Sequence, residues 1–221
     1  MTSGAAIFDM DGTLVDNMPL HIECWIALFR DDGRAVTAQD YHAAGIGGSA
    51  EEVTRHFLGD HLTDAQTERL VGRKEFLYRT LARRRLKLLR GTRRMLWQAR
   101  REKIPLALAT SAGERNVEFF LETQDLHGFF DVVLDAGSVT RTKPHPDVFL
   151  KAADRLGVPP DQCLVFEDSL PGLEAARRAG MRAVAVATMH PPETLQRLPH
   201  VVKVVTDYAG LSLCELFGER G

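Results

Sequence analysis

Apolar and polar positions along this chain follow two different rhythms. Blocks rich in Val, Ile, Leu and Ala occur at 5–8 (AAIF), 105–110 (PLALAT), 130–135 (FDVVLD), 163–168 (CLVFED) and 181–187 (MRAVAVA), with a sixth, VVKVV, at 201–205. Short unbroken apolar runs of this kind predict strands covered on both faces, as in a parallel sheet. Between most of them the spacing turns helical: Val117, Phe120, Leu121 and Gln124 fall on one side of a segment over 114–126. PDVFLKAADRLG runs from Pro146 to its stop at Gly157, and PGLEAARRAG from Pro171 to Gly180, the usual order of Pro near a helix start and Gly past its end. Strand alternating with helix predicts an α/β fold with helices on both faces of the sheet.

Residues 16–88 break that rhythm. HIECWIALFRDD, SAEEVTRHFLG and DAQTERLVGRKEFLYRTLARRR read as helices, and no convincing strand lies among them. The expected organisation is a core of residues 1–15 and 89–221 interrupted by a helical insertion at 16–88, which leaves and re-enters above the carboxyl end of the first strand.

Composition narrows the function. The 221 residues are 44% hydrophobic and 26% charged, ordinary for a globular chain, and a net charge of −2 supplies no field to capture nucleic acid or an anionic membrane. RRRLKLLR at 83–90 is the strongest charge run and reads as a solvated helix end. Cys24, Cys163 and Cys214 form no metal-ligand or disulfide pattern, and neither a membrane span nor a signal peptide is legible, so a cytoplasmic monomer or weak dimer is expected.

The informative stretch is IFDMDGTLVDN at 7–17, which crowds Asp9, Asp11 and Asp16 at the end of the first apolar block. Ligands of open α/β sheets sit at strand carboxyl ends. Side chains two apart in an extended segment point to one side, so Asp9 and Asp11 are placed to face one substrate atom, with Gly12 allowing the turn that follows. Carboxylates that close tolerate each other around a cation, and hard oxygens select Mg²⁺. An EF-hand is excluded, because the sixth and twelfth positions counted from Asp9 are Leu14 and Leu20. A plain Asp/Gly turn, or helix capping by Asp16, remains open at this point.

Two further strand ends and one loop carry polar groups. Thr110 and Ser111 in LATS suit anion binding at a helix start, or simple capping. Lys143 is held in TKPHPDVF between Thr142 and Pro144, in a loop before a helix that Pro144 and Pro146 stiffen, and Glu167 and Asp168 end the strand CLVFED.

The four motifs in this order, FDMDGTLVDN, LATS, KPHPDVF and VFEDSLPGLEAARRAGM, resemble the haloacid dehalogenase superfamily in its phosphatase and β-phosphoglucomutase-like branch. The resemblance implies a Rossmann-like core with an inserted helical cap, and a phosphatase for a small phosphate ester acting through an aspartyl-phosphate. It implies Asp9 as nucleophile, Asp11 as general acid/base, and Thr110 and Lys143 as their catalytic partners. Gly12, Thr110, Ser111 and Lys143 would bind phosphate, and Asp9, Asp11, Glu167 and Asp168 would serve Mg²⁺. In the cap, His21, Trp25, the glycine loop around Gly47, and Lys74 followed by Tyr78 resemble substrate-facing positions of sugar-phosphate enzymes, although His21 and Trp25 also suit plain packing.

One departure favours hydrolysis. Mutases carry an arginine after the glycine loop, whereas GGSAEEV here has Ala50 and Glu51, with Arg55 or Arg73 as candidate substitutes. A β-phosphoglucomutase-type mutase is the second reading, and a non-enzymatic phospho-accepting receiver a remote third.

Overall fold

The computed structural model of the chain describes residues 4–44 and 49–218. The glycine loop anticipated around Gly47 lies outside them. The described residues divide into two compact units, Met1–Asp16 with Lys87–Gly221, and Asn17–Leu86.

The first unit is built on six parallel strands: β1 (Ala5–Phe8), β2 (Leu106–Ala109), β3 (Val132–Leu134), β4 (Cys163–Glu167), β5 (Arg182–Val186) and β6 (Val201–Val205), in the order β3-β2-β1-β4-β5-β6. After β3 the chain jumps back over β2 and β1 to place β4. Right-handed crossovers therefore put α5 (Thr92–Arg101) and α6 (Glu114–Thr123) on one face of the sheet, and α7 (Asp147–Leu156) and α8 (Leu170–Arg178) on the other. The side-chain period of two does the rest. Ala5, Ile7, Ala107, Ala109, Val165, Ala183 and Ala185 form one core with Val148, Phe149, Ala152, Leu173 and Ala176 of α7 and α8. Phe8 points to the opposite face, stacked on Phe166 at 4.4 Å. β1 is thus central, buried on both sides, and stands where the strand order reverses.

Two elements differ from the sequence reading. β3 shrinks to three residues because it is the sheet edge, with Val133 38% exposed. α5 was not anticipated: its apolar stripe is only Met95, Leu96 and Ala99, all buried, and the rest of the helix is Thr92, Gln98, four arginines and a mostly exposed Trp97.

The second unit is all helical: α1 (Met18–Asp31), α2 (Ala38–Ala43), α3 (Ala50–Leu58) and α4 (Asp64–Ala82). Capping boxes start two of these helices, Ser49 with Glu52 and Thr63 with Gln66, each satisfying two otherwise orphaned N–H groups. Ile22, Trp25, Leu28, Phe29, Tyr41, Val53 and Leu58 make its core, with Phe29 and Phe57 ring centroids 4.8 Å apart. Among the described residues no helix is long and apolar enough to cross a membrane.

Candidate active site

The register of two strands brings the acidic motifs together. Phe8 of β1 pairs with Phe166 of β4, and the Asp9 N–H donates to the Phe166 carbonyl at 3.0 Å. Asp9 is therefore delivered beside the residues that end β4, Glu167 and Asp168. One oxygen from each of Asp9, Glu167 and Asp168 lies within 4.8 Å of the others, and all three residues are buried.

Lys143 completes this cluster from the loop before α7. Its Nζ donates to Asp9 Oδ1 at 2.6 Å and to Glu167 Oε2 at 2.7 Å, and lies 4.9 Å from the centre of the Phe149 ring. Burial raises the Asp9 carboxyl to about 8, reinforced by the negative Glu167 and opposed by Lys143. Asp168 is also raised well above the carboxylate range, by burial first and then by Glu167 and Asp9. Burial disfavours the Lys143 ammonium, but the charges of Asp9 and Glu167 together outweigh it and its pKa lies above the ordinary lysine value.

Up to three negative charges thus face one ammonium, with hard carboxylate oxygens gathered at one point. That donor chemistry fits a divalent cation of the Mg²⁺ type. The four acids do not contribute alike. Glu167 has both oxygens engaged, Oε1 by the Ser169 N–H and hydroxyl and Oε2 by Lys143. It orients the lysine. Asp11 is not a member of the three-carboxylate cluster.

The segment after Asp9 is a turn, not a continued strand. The Met10 carbonyl accepts from the N–H groups of Thr13 and Leu14, and Gly12 adopts φ 77°. The orientation of Asp11 relative to Asp9 is accordingly set by this turn instead of the pleat assumed from the sequence. Gly12 is required twice: for its left-handed conformation, and because a Cβ there would overlap the Asp168 carboxylate.

Thr110 is buried directly beyond β2, and its Oγ1 accepts from the Ala112 N–H at 3.1 Å. With Leu108 paired to Phe8, it stands at the same carboxyl end of the sheet as Asp9. Ser111 is exposed in the bend that follows.

In the helical unit, the expected substrate residues share one cluster. Lys74 Nζ is 2.6 Å from His21 Nδ1, 2.8 Å from Glu75 Oε1 and 4.9 Å from the Trp25 ring centre, and His21 stacks on Tyr78 at 3.9 Å. An ammonium has no lone pair, so Nδ1 of His21 accepts from Lys74, while Nε2 lies 3.3 Å from the Asn17 amide nitrogen. Trp25 is 2% exposed and belongs to the unit's core.

Sequence reasoning missed several polar residues at the acidic cluster. Ser169 was legible only as a cap, a role it also fills by accepting from the Gly172 N–H. Thr13, Thr188 and Tyr208 hold the turn and Asp168; Thr13 lies inside the IFDMDGTLVDN stretch but is not singled out there, and nothing in the local sequence marks Thr188 or Tyr208.

Comparison with known proteins agrees with this construction. Residues 6–186 match the profile of the haloacid dehalogenase-like hydrolases. A phosphorylated carbohydrates phosphatase of Thermotoga maritima is 32% identical over 90% of this chain and 99% of its own length. A fructose-1-phosphate phosphatase of Escherichia coli is 34% identical over 81% of this chain and 94% of its own. Among solved structures, a β-phosphoglucomutase of Clostridium difficile superposes with a TM-score of 0.82 at 25% identity, covering 98% of this chain and 97% of that one.

Proposed function

This chain belongs to the haloacid dehalogenase-like hydrolases, and from that footing we propose that it is a Mg²⁺-dependent phosphatase for a small phosphorylated metabolite, a sugar phosphate in the first instance. The observation that carries the reading is the buried Asp9 carboxylate with the Lys143 ammonium at 2.6 Å and Asp168 beside it. The similar proteins named for phosphorylated carbohydrates and fructose 1-phosphate support the substrate class.

The chemistry follows from charge. A phosphomonoester dianion repels a bare carboxylate, so attack by Asp9 requires its charge to be offset. Lys143 does part of this, neutralising Asp9 and the incoming phosphoryl oxygens from a position fixed by Glu167. Asp9 and Asp168 would hold the Mg²⁺, which supplies further Lewis-acid neutralisation of the phosphoryl group when bound. Asp9 attacks phosphorus in line to give an aspartyl-phosphate, and Thr110 with the backbone of the Gly12 turn receives the transferring oxygens. Asp11 protonates the leaving oxygen and then takes a proton from the water that hydrolyses the intermediate. Catalysis is mostly positioning, which suits a site built on strand ends.

Hydrolysis is favoured over phosphosugar mutation by the fate of the candidate arginines. Arg55 binds the Leu62 carbonyl at 2.8 Å and Asp64 at 2.6 Å, and Arg73 pairs with Asp31 at 3.2 Å, so both guanidinium groups have partners within the helical unit. The receiver reading falls with the family match. Substrate choice is assigned to His21 and Lys74 of the helical unit. The three free cysteines suit a reducing compartment such as the cytoplasm.

The test is a phosphate-ester panel with Mg²⁺ that includes β-glucose 1-phosphate with and without its 1,6-bisphosphate. Catalytic release of inorganic phosphate supports the phosphatase. Isomerised sugar phosphate with no net release would establish the mutase in its place.

A further inference from the structure

Asp168 is gripped at both oxygens by hydroxyl groups from different parts of the chain. Thr13 Oγ1, in the turn after β1, lies 3.3 Å from Oδ1, and Thr188 Oγ1, in the turn after β5, lies 3.3 Å from Oδ2. Thr188 also donates to the Gly12 carbonyl at 2.6 Å. A hydroxyl carries one proton, so Thr188 shares it between a short bond to the turn and a longer contact to the carboxylate. The short bond fixes where the oxygen sits. The longer contact then limits rotation of the Asp168 carboxylate, whose Oδ2 also lies so close to Gly12 that no Cβ fits there. Thr13 is held in turn through its carbonyl, which accepts from the fully buried Tyr208 hydroxyl at 2.9 Å.

We propose that Thr188 is a positioning residue that sets the Asp168 carboxylate relative to Asp9 for cation binding, by tying the β5 turn to the β1 turn through one hydroxyl. The inference rests on the reading of Asp9 and Asp168 as the Mg²⁺ residues and extends it to a residue at a third strand end. Ligand-orienting hydrogen bonds of this kind are worth about 10- to 100-fold in metal affinity. Thr188 is only half-buried, and Val is close to isosteric with Thr, so Thr188→Val removes the hydroxyl with little change of volume.

The experiment measures Mg²⁺ binding to the metal-stripped full chain by titration calorimetry, alongside thermal unfolding and turnover. Thr188→Val is expected to weaken Mg²⁺ binding about tenfold or more, to raise the Mg²⁺ concentration needed for half-maximal turnover by the same factor, and to recover most of its rate at saturating Mg²⁺. Thr188→Ser should restore the native affinity. Thr188→Ala serves the same comparison if the valine variant does not fold. Native Mg²⁺ affinity in a folded Thr188→Val or Thr188→Ala chain would overturn the proposal, leaving Thr188 as a tie between turns even if the unfolding temperature drops. Asp168→Ala separates the two levels of the argument: if it binds Mg²⁺ like the native chain, the metal reading itself is wrong, whatever Thr188 does.

Discussion

Lys143 and Asp9, 134 positions apart in sequence, form a buried ion pair at 2.6 Å. The pair joins the nucleophile candidate after the first strand to a loop within the crossover from β3 to β4, and Glu167 closes the arrangement by accepting from the same ammonium at 2.7 Å. Its placement gives several expectations.

Asp9→Asn keeps the shape of the side chain and its hydrogen-bonding reach but removes the nucleophilic oxygen pair. Phosphate release should fall by at least about 10³-fold, by analogy with other residues that act as the core of a catalytic unit, while the circular dichroism spectrum stays native. Activity within tenfold of the native chain would remove Asp9 from the role.

Lys143→Met preserves much of the stem's length against Phe149 and deletes the charge. Two buried carboxylates then lose their common cation, and transition-state charge loses a fixed donor. A drop in kcat of about 10²- to 10³-fold is expected, measured under saturating Mg²⁺ so that metal affinity does not confound it. A variant that turns over within about threefold of native would show that the ammonium serves only the fold.

The metal-free chain should lose stability as pH rises. Asp9 titrates at about 8 when folded against an ordinary 3.8, so between these values the folded chain holds a proton that the unfolded chain has released. Stability therefore falls with rising pH across that window, and the burden is complete above about pH 8. Asp168, raised in the same direction, adds to the slope. In EDTA, the Asp9→Asn variant should gain unfolding temperature over the native chain at about pH 8 and gain less at about pH 5.5; Mg²⁺ should narrow the gap by replacing the proton. An equal gain at both pH values contradicts the raised Asp9.

Gly172 offers a case where two effects have opposite sign. Alanine is favoured over glycine in a helix interior by about 1 kcal/mol, and Gly172 lies in α8. A Cβ there, however, would overlap the Glu167 carboxylate, whose two oxygens are pinned by Ser169 and Lys143. The clash should win, with Gly172→Ala losing about 1–3 kcal/mol in chemical denaturation and losing turnover with it. A more stable variant would mean that Glu167 is free to move.

The sequence was most readable where physics is local. The apolar blocks gave four interior strands, the edge strand β3 and the sixth at 201–205, and Pro and Gly marked the ends of α7 and α8. α5 escaped because a helix needs only one apolar stripe to dock, and Met95, Leu96 and Ala99 are hidden among arginines. Asp11 was expected beside Asp9 from strand alternation; it stands in the turn that Met10 begins, and its negative charge adds to the rise of the Asp9 carboxyl. Glu167 read as one more metal acid, and it does stand in the three-carboxylate cluster, where its Oε1 and Oε2 also accept from Ser169 and Lys143.

By itself the sequence determined which residue types end each strand, because burial of a parallel sheet demands unbroken apolar runs and expels charge to their carboxyl ends. Only the tertiary structure decided which of those ends meet. The crossover from β3 to β4 lays residue 166 beside residue 8, and hydroxyls at 13 and 188 then close on Asp168 from turns that share no sequence signal. Such contacts depend on strand order and register, and these are set by the summed packing of both faces of the sheet, to which no single segment of the chain holds the key.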